Sequence, residues 1–513
     1  MRTLIVPSSL LALALALGPA CGNKTDDTAP PEGDADTDGD ADADTDADSD
    51  VFPECDTATD PDDPPTLCAA ASAVMVGDAD QDRLGTRVTG RGDLDGNGHD
   101  DVLALAQGYG TYGNSYGAMY VFGSPIPVEM TASEATASFV YSTEMGRVES
   151  AVILGDTNGD GFDDFVVGSQ TRPNMGVYFG PVTGAMGFDE FDALVSWSEA
   201  YPGSTLPYTK VAAAGDVDGN GTADTILDGR EKVFVMTTPL EGSVDADSQA
   251  WALLEPPFPS VEDPCIESHP NHNPIIYQRD GQAAAIGDLD GDGFSELIVT
   301  NGYWNEQWWT RDPSEPCEGY KGRAWVVQGP VSGTIDLASA AIALDGDEWE
   351  GAILGDADAI GDADGDGLDD FIVEGGERAT DFVVFGPLTT GGLIGGLLNV
   401  ARITGSEFSS FDLSGAGDVD GDGLGDLVMG IHTDDYWDHG AAILLAPFSG
   451  TRLIDDAEHL YRGEGENSWA GSSVSSAGDV DADGLMDVLI GADNTMVEGE
   501  YRGKVYLLYG ADL

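Results

Sequence analysis

Basic residues are scarce in this chain of 513 residues, which has 20 Lys and Arg against 94 Asp and Glu and a formal net charge of −74 at pH 7. Such a surface repels polyanions over long distances, so we expect neither nucleic acid nor an anionic lipid surface as a partner. After the N-terminal apolar run, no segment reaches the roughly 20 apolar residues that a membrane-spanning helix requires. The sequence also contains no G-x-S-x-G, H-E-x-x-H or phosphate-loop motif and singles out no catalytic residues, so we do not expect an enzyme.

A nine-residue pattern, D-x-[DN]-[GA]-[DN]-G-x-x-[DE], occurs seven times. The copies, loops I to VII, begin at Asp93, Asp156, Asp216, Asp288, Asp362, Asp418 and Asp479. Their spacing is 63, 60, 72, 74, 56 and 61 residues. One motif per unit at a nearly constant period is typical of a repeat architecture.

Each copy offers the ligands of a hard cation, with side-chain oxygens at positions 1, 3, 5 and 9 and a backbone carbonyl at position 7. Calcium takes six to eight oxygen ligands, and position 6 is always Gly, which suits a sharp turn. We predict up to seven Ca²⁺ ions. The predicted ligands are Asp93, Asp95, Asn97, His99 and Asp101 (loop I); Asp156, Asn158, Asp160, Phe162 and Asp164 (II); Asp216, Asp218, Asn220, Thr222 and Asp224 (III); Asp288, Asp290, Asp292, Phe294 and Glu296 (IV); Asp362, Asp364, Asp366, Leu368 and Asp370 (V); Asp418, Asp420, Asp422, Leu424 and Asp426 (VI); and Asp479, Asp481, Asp483, Leu485 and Asp487 (VII).

Two other interpretations of these loops were weighed. An EF-hand needs a bidentate Glu at position 12 and flanking helices, whereas position 12 is apolar in all seven copies and lies in a short apolar run typical of a buried strand. The loops could also be solvated turns of an acidic protein. Keeping three or four carboxylates together at seven equivalent places is costly without a cation, however, and this favours calcium.

The strands around the loops predict an all-β, seven-bladed β-propeller. In each unit a small-residue strand ends in Gly just before the loop, an apolar strand follows the loop, and two more strands complete the unit. The cation loops therefore connect the first and second strands. The last unit lacks its fourth strand, and residues 73–77 have the pattern of that strand, so we predict that an N-terminal strand closes the ring.

The repeated loops and the segments around them, such as Leu427-Val-Met-Gly430 and Leu489-Ile-Gly-Ala-Asp493, resemble the FG-GAP repeats of the integrin α-chain head. The resemblance covers roughly residues 70–513 and implies a seven-bladed propeller with calcium between the first and second strands. The Phe-Gly element is degenerate here, as Leu84-Gly85 and Ala470-Gly471. Integrin heads fill only some blades, whereas every unit here keeps a complete loop.

The N-terminal residues indicate export. Residues 1–20 have the pattern of a signal peptide, and Cys21 follows a site typical of a bacterial-type lipoprotein, although ordinary cleavage after Ala20 is the alternative. Residues 21–65 form an acidic spacer that is too polar to fold, and 66–513 form the propeller. We expect a monomer in the cell envelope or at the cell surface, anchored by lipid to an outer membrane, with no other membrane contact. Of the three possible disulfide pairings, the local one joins Cys55 to Cys68 and Cys265 to Cys317.

The predicted function is recognition or adhesion at the cell surface, with an unknown surface protein or a glycan as the partner. The candidate ligand loop is rich in aromatic residues, which often anchor binding or, equally, pack as a small core. It contains Tyr303, Trp304, Trp308 and Trp309. An extracellular polysaccharide hydrolase or lyase on a propeller is one alternative, and a structural or calcium-buffering envelope protein is another.

Overall fold

A computed structural model describes residues 64–108, 117–140, 148–169, 172–198, 209–229, 232–257, 282–301, 322–346, 354–375, 380–405, 408–433, 439–465 and 467–513. All of them belong to one compact unit, Phe52–Leu513. Within these ranges the strands form seven sheets, the blades I to VII, and a small hairpin of Met496–Val497 with Glu500–Tyr501. The predicted seven-bladed propeller is therefore confirmed.

The strands of each blade run from the first to the fourth in antiparallel order, and a fifth strand pairs in parallel with the fourth in every blade except VI. Blade I contains Leu84–Thr89, Val102–Ala106, Ala118–Phe122, Ala137–Val140 and Gly184–Gly187; II contains Val148–Gly155, Asp164–Ser169, Asn174–Tyr178, Ala193–Ser196 and Gly242–Asp245; III contains Lys210–Gly215, Asp224–Asp228, Val233–Met236, Ala252–Glu255 and Gly333–Asp336; IV contains Ala283–Ala285, Leu297–Asn301, Arg323–Val327, Ile342–Asp345 and Gly392–Leu393; V contains Leu354–Gly361, Asp370–Gly375, Thr380–Val384, Val400–Thr404 and Thr451–Leu453; VI contains Phe408–Gly417, Asp426–Thr433, His439–Leu444 and His459–Arg462; and VII contains Ala470–Gly478, Asp487–Ala492, Lys504–Leu508, Ala73–Val76 and Glu129–Thr131.

The fifth strands were not predicted. In sequence, each fifth strand lies between the third and fourth strands of the next blade, but it pairs with the fourth strand of the preceding blade. For example, Gly184–Gly187 lies within the blade II segment and pairs with Ala137–Val140 of blade I. A short helical segment lies between most of these strands and the fourth strand that follows. These segments are the helices Leu67–Ala70, Ala246–Gln249 and Leu337–Ala340 and the 3₁₀ turns Ala132–Glu134, Ile394–Gly396 and Ile454–Asp456; a further 3₁₀ turn, Gly510–Asp512, follows the last strand. The outer edge of one blade is thus covered by the next.

The ring closes through residues 64–76. The strand Ala73–Val76 is fully buried and pairs antiparallel with the last strand of the chain, Ala73 lying opposite Leu507, which confirms the predicted closure. Its other edge pairs in parallel with Glu129–Thr131. Thr66 also forms an isolated parallel bridge with Arg462, in the place of a fifth strand for blade VI. The N-terminal segment therefore supplies the fourth strand of the last blade, and the chain of blade I supplies its fifth.

The core consists of seven apolar clusters, one between each pair of neighbouring blades. The second strands contribute most completely: Phe165, Val166 and Val167 are all inaccessible to solvent. Burying one large apolar side chain stabilises a fold by about 1.5–3 kcal/mol. Because each blade packs on two neighbours, the closed ring is stabilised as one unit and the loops are held at fixed places along its edge.

Among the described residues, no helix has the length and apolar character needed to cross a membrane.

Candidate functional site

The seven loops occupy the same place in every blade, the turn between the first and second strands. Their sixth residue is always a glycine with φ between 88° and 94°, a conformation that is costly for residues with a side chain. The space beside each of these glycines is open, so the backbone conformation, not crowding, requires them. The predicted turn role of the seven glycines is thereby explained.

Backbone N–H groups of each loop donate hydrogen bonds to the loop's own polar side chains. Three hydrogen bonds recur in all seven copies. The position 1 carboxylate accepts the backbone N–H of position 6, the side-chain oxygen of position 3 accepts the backbone N–H of position 5, and the side-chain oxygen of position 5 accepts the backbone N–H of position 7. In loop I, for example, Gly98 N lies 2.7 Å from Asp93 Oδ2. These side chains therefore shape the turn. In loop I, Asp93 Oδ1 accepts two N–H groups, from Gly96 and Asn97, whereas Asp93 Oδ2 accepts only that of Gly98 and keeps a lone pair for another partner.

The position 9 carboxylate is buried in every blade and ties the loop to the end of the third strand. In blade I, Asp101 accepts the N–H of Leu94 through one oxygen at 2.8 Å and that of Ser124 through the other at 2.9 Å. The same two bonds recur in the other six blades, with Glu296 in place of Asp in blade IV. The second and third strands thus hold this ligand rigidly.

Positions 1, 3 and 9 converge. In loops I, III, IV, V and VI their three carboxylates offer oxygen atoms that all lie within 4.8 Å of one another. Burial, together with a smaller repulsion by the neighbouring loop carboxylates, raises the pKa of Asp101 and of Asp370 to about 7. An all-oxygen donor set of this charge on a tight turn fits Ca²⁺ in its ligand type. A bound cation would remove the repulsion that these groups otherwise carry.

At three loops the position 8 aspartate of the following loop leaves room only for the glycine that precedes the loop. A Cβ atom on Gly92 would lie 2.9 Å from an Asp163 oxygen, one on Gly287 would lie 2.4 Å from the Asp369 Cβ, and one on Gly478 would lie 2.0 Å from an Asp100 oxygen. Asp100, Asp163 and Asp369 are the position 8 residues of the following blade's loop. Sequence reasoning missed them, although the paired acids at positions 8 and 9 of these three loops were a visible signal.

A second polar region lies on the propeller axis. A cavity of about 480 Å³ is lined by the first strands of all seven blades. Polar side chains at its wall connect neighbouring first strands: Val211 N donates to Ser150 Oγ at 3.0 Å and Val88 N to Ser473 Oγ at 3.1 Å. These bonds link first strands of different sheets, which share no backbone β-sheet hydrogen bonds with one another.

Four carboxylates beside this cavity form the inner acid cluster, which comprises Asp356, Glu374, Asp381 and Asp412. Burial raises the pKa of Glu374 to about 8, and repulsion by the other three adds to the effect. Burial also raises the pKa of Asp412 to about 7, against the attraction of Arg87 and Lys210. The four residues lie on three strands of blade V and one of blade VI, and no sequence motif indicated them.

Several predicted residues lie outside the described ranges. They are Cys21, Cys55, Cys265, Cys317, Tyr303, Trp304, Trp308 and Trp309. Cys68 lies in the helix Leu67–Ala70 and packs against the core between blades VI and VII. Lipidation, the disulfide pairing and the aromatic ligand loop therefore stay predictions.

Comparison with known proteins agrees with the repeat architecture. Residues 281–327 and 470–508 match the FG-GAP repeat family model. Integrin alpha-D of Homo sapiens is 35% identical over 119 residues, which is 22% of this chain and 10% of that protein. Integrin alpha-PS2 of Drosophila melanogaster is 32% identical over 158 residues, 27% of this chain and 11% of that protein. Integrin alpha-X of Mus musculus is 36% identical over 98 residues, 18% of this chain and 8% of that protein.

The chain spans about a tenth of the length of these relatives. It carries FG-GAP repeats on a β-propeller similar to that of integrin α-chains.

Proposed function

We propose that this protein is a calcium-stabilised recognition or adhesion module that binds a protein or a glycan at the cell surface. The observation that carries the proposal is the repetition of one oxygen-rich loop at the same corner of seven blades, with buried position 9 carboxylates in all of them. The similarity to integrin α-chains supports binding rather than catalysis. The ligands are the residues predicted from the sequence, with calcium in up to seven loops.

Calcium would act here by stabilising the fold. A ligand that binds only the folded state adds RT ln(1 + [L]/Kd) to its stability, which is about 2.7 kcal/mol for each site at a free concentration of 100 Kd. The position 9 residue lies at the start of the second strand, and its carboxylate bonds both the loop and the residue that follows the third strand. A cation on it would therefore connect the loop to both strands. The ion would then keep the blade edges rigid beneath the partner surface.

A partner surface is available among the described residues at the end of the blades opposite the loops. Trp469 is 46% exposed there and lies 6.3 Å from the His439 ring, measured between centroids. Phe411 packs edge-on against His439 at 5.8 Å, and His432 lies beside both rings. Exposed aromatic side chains combine apolar area with polar edges, which suits both protein and glycan contacts.

The experiment is a binding screen of the purified chain against glycan and extracellular-protein arrays, in calcium and in chelator. We expect binding that requires calcium and that is lost on Trp469→Ala, while the mutant keeps the wild-type melting temperature. Leu398→Ala is the matched control, because Leu398 is fully exposed and lies in blade V, away from the aromatic cluster. Turnover of a polysaccharide would instead support the hydrolase or lyase alternative. Calcium uptake without any partner would support the structural or buffering alternative.

The cellular setting belongs to the same proposal. Export, lipidation of Cys21 and an acidic spacer over residues 21–65 would hold the propeller away from a membrane that the net charge of −74 of the full chain would repel. A monomer suffices for this function, because the ring is closed by its own chain. Mass spectrometry of the protein extracted from membranes would identify the lipid, the monomer mass and the disulfide pairing in one preparation.

A further inference from the structure

We propose that Asp163 and Asp100 are positioning residues that couple neighbouring cation loops, so that occupancy of one loop strengthens binding in the loop before it. This inference rests on the proposed calcium sites. The observation that leads to it is a set of contacts between successive loops that recurs around the ring and is strongest where position 8 is Asp.

The backbone provides the common part of the contact. The position 8 N–H of one loop donates to the position 1 carbonyl of the preceding loop at four junctions: Asp163 to Asp93 at 3.1 Å, Asp369 to Asp288 at 3.2 Å, Gly425 to Asp362 at 2.9 Å and Met486 to Asp418 at 3.0 Å. Each bond holds the backbone of the first cation ligand. Because it is made by any residue type, it sets the spacing of the loops but does not distinguish one junction from another.

The aspartates add a second bond in the reverse direction. Asp163 Oδ2 accepts the N–H of Asp93 at 2.7 Å, Asp369 Oδ2 that of Asp288 at 2.8 Å, and Asp100 Oδ2 that of Asp479 at 2.9 Å. At the first two junctions the first cation ligand is therefore held at both its N–H and its carbonyl by a single residue of the next blade. That residue directly precedes the buried position 9 ligand of its own loop.

The aspartates also lie between two groups of ligands. Asp163 is repelled by Asp93 of loop I and by Asp156 of loop II, and Asp100 by Asp479 of loop VII and by Asp93 of loop I. A cation in either flanking loop offsets this repulsion. A cation in one loop that fixes the position of this carboxylate also fixes the hydrogen bond by which it holds the first ligand of the preceding loop, so the two loops are coupled through its position.

The side chain at position 7 adds an apolar contact between successive loops. The Phe162 ring of loop II covers Gly96 of loop I so closely that a Cβ atom there would lie 2.1 Å from it. The Leu424 side chain lies over Gly365 in the same way at 3.6 Å. The residue whose carbonyl is a predicted ligand in one loop therefore packs with its side chain on the turn of the preceding loop, so ordering one loop orders the other.

Site-resolved calcium titration followed by hydrogen exchange tests the coupling. The full chain is stripped of cations and titrated, and the peptide covering loop I reports the calcium concentration at half-protection. Asp160→Ala removes a predicted ligand from loop II without touching loop I. We expect it to raise the loop I midpoint about tenfold, a factor that corresponds to roughly one charge-assisted hydrogen bond.

Asp163→Ala is expected to raise the loop I midpoint by itself and to abolish its further response to Asp160→Ala. Asp163→Asn keeps an oxygen for the Asp93 N–H but no charge, so a response intermediate between the two also supports the coupling, and this variant serves if Asp163→Ala does not fold. Ser295→Ala is the matched control, since Ser295 holds the same position in loop IV without a carboxylate and lies against Gly215 before loop III; it should leave the loop III midpoint unchanged.

The outcomes separate the two proposals. If loop I shows calcium-dependent protection and its midpoint is the same in the wild type, Asp160→Ala and Asp163→Ala, the coupling is wrong but the calcium sites are still supported. Absence of calcium-dependent protection in every loop would overturn the calcium sites and the coupling with them.

Discussion

The cation loops and the inner acid cluster both gather carboxylates, yet they neutralise them differently. A loop surrounds its acids with N–H donors on a turn at the blade edge and leaves lone pairs for a cation, as at Asp93. In the inner acid cluster, burial raises the pKa of Glu374 to about 8 and that of Asp412 to about 7, against the attraction of Arg87 and Lys210, so protons remove the charge of these two groups. The loops should therefore depend on calcium and the cluster on pH.

The largest expected effect is on a loop. Asp426→Ala removes the acceptor of the Val419 and Ala446 N–H groups, both bonded to it at 3.0 and 2.8 Å, and also removes a predicted cation ligand. Each buried donor left unpaired costs about 1–3 kcal/mol, so we expect a loss of about 3–6 kcal/mol in calcium. Urea unfolding measures it. A loss below about 1 kcal/mol would contradict the position 9 role.

The same chemical change should have opposite signs in the two regions. Asp426→Asn is expected to destabilise the protein at pH 8 in calcium, since it removes a ligand charge. Burial raises the pKa of both Asp381 and Asp426 to about 6, so ionisation is costly at both places, but only Asp426 is a predicted cation ligand. Asp381→Asn should therefore be neutral or stabilising at that pH. Paired melting curves decide it. If both variants lost stability to the same extent, the distinction between the regions would fail.

Glu374 should contribute strongly to the pH dependence of stability. The pKa of Glu374 in the folded protein, about 8, exceeds its ordinary value of 4.5, so the folded state holds the proton more tightly. Stability is therefore fully present below pH 4.5 and is lost as the pH rises through about 8. We expect Glu374→Gln to match the wild type at pH 5 and to exceed its melting temperature at pH 9. A difference that is the same at both pH values would contradict this account.

The smallest effect is expected from the ion pair at the axis. Lys210 Nζ lies 3.4 Å from Asp356 Oδ1, and both side chains are partly exposed, so the pair contributes at most about 1 kcal/mol. Lys210→Met should therefore cost little stability. It should also raise the pKa of Asp412 further, because Lys210 attracts that carboxylate. A shift of the pH midpoint to higher values would show this, and a shift to lower values would contradict it.

The loops were predictable because all their predicted ligands lie within nine consecutive residues. The propeller was predictable from the regular spacing of the seven loops along the sequence. The closing strand was predictable from the strand missing after Lys504–Leu508. The fifth strands could not be predicted, since segments such as Gly184–Gly187 are short and exposed and pair only because the next blade lies beside them. Glu374, Asp381 and Asp412 come together only through the packing of blades V and VI, which leaves no local signal.

The most direct test of the account is the calcium content of the purified chain, measured by elemental mass spectrometry after exchange into calcium and again after chelation, with a melting curve for each state. The account predicts about seven ions per chain and a large fall in melting temperature on chelation, because the ions bind only the folded state. About one ion or none, with the same melting temperature in both states, would show that the loops are solvated turns and would contradict it.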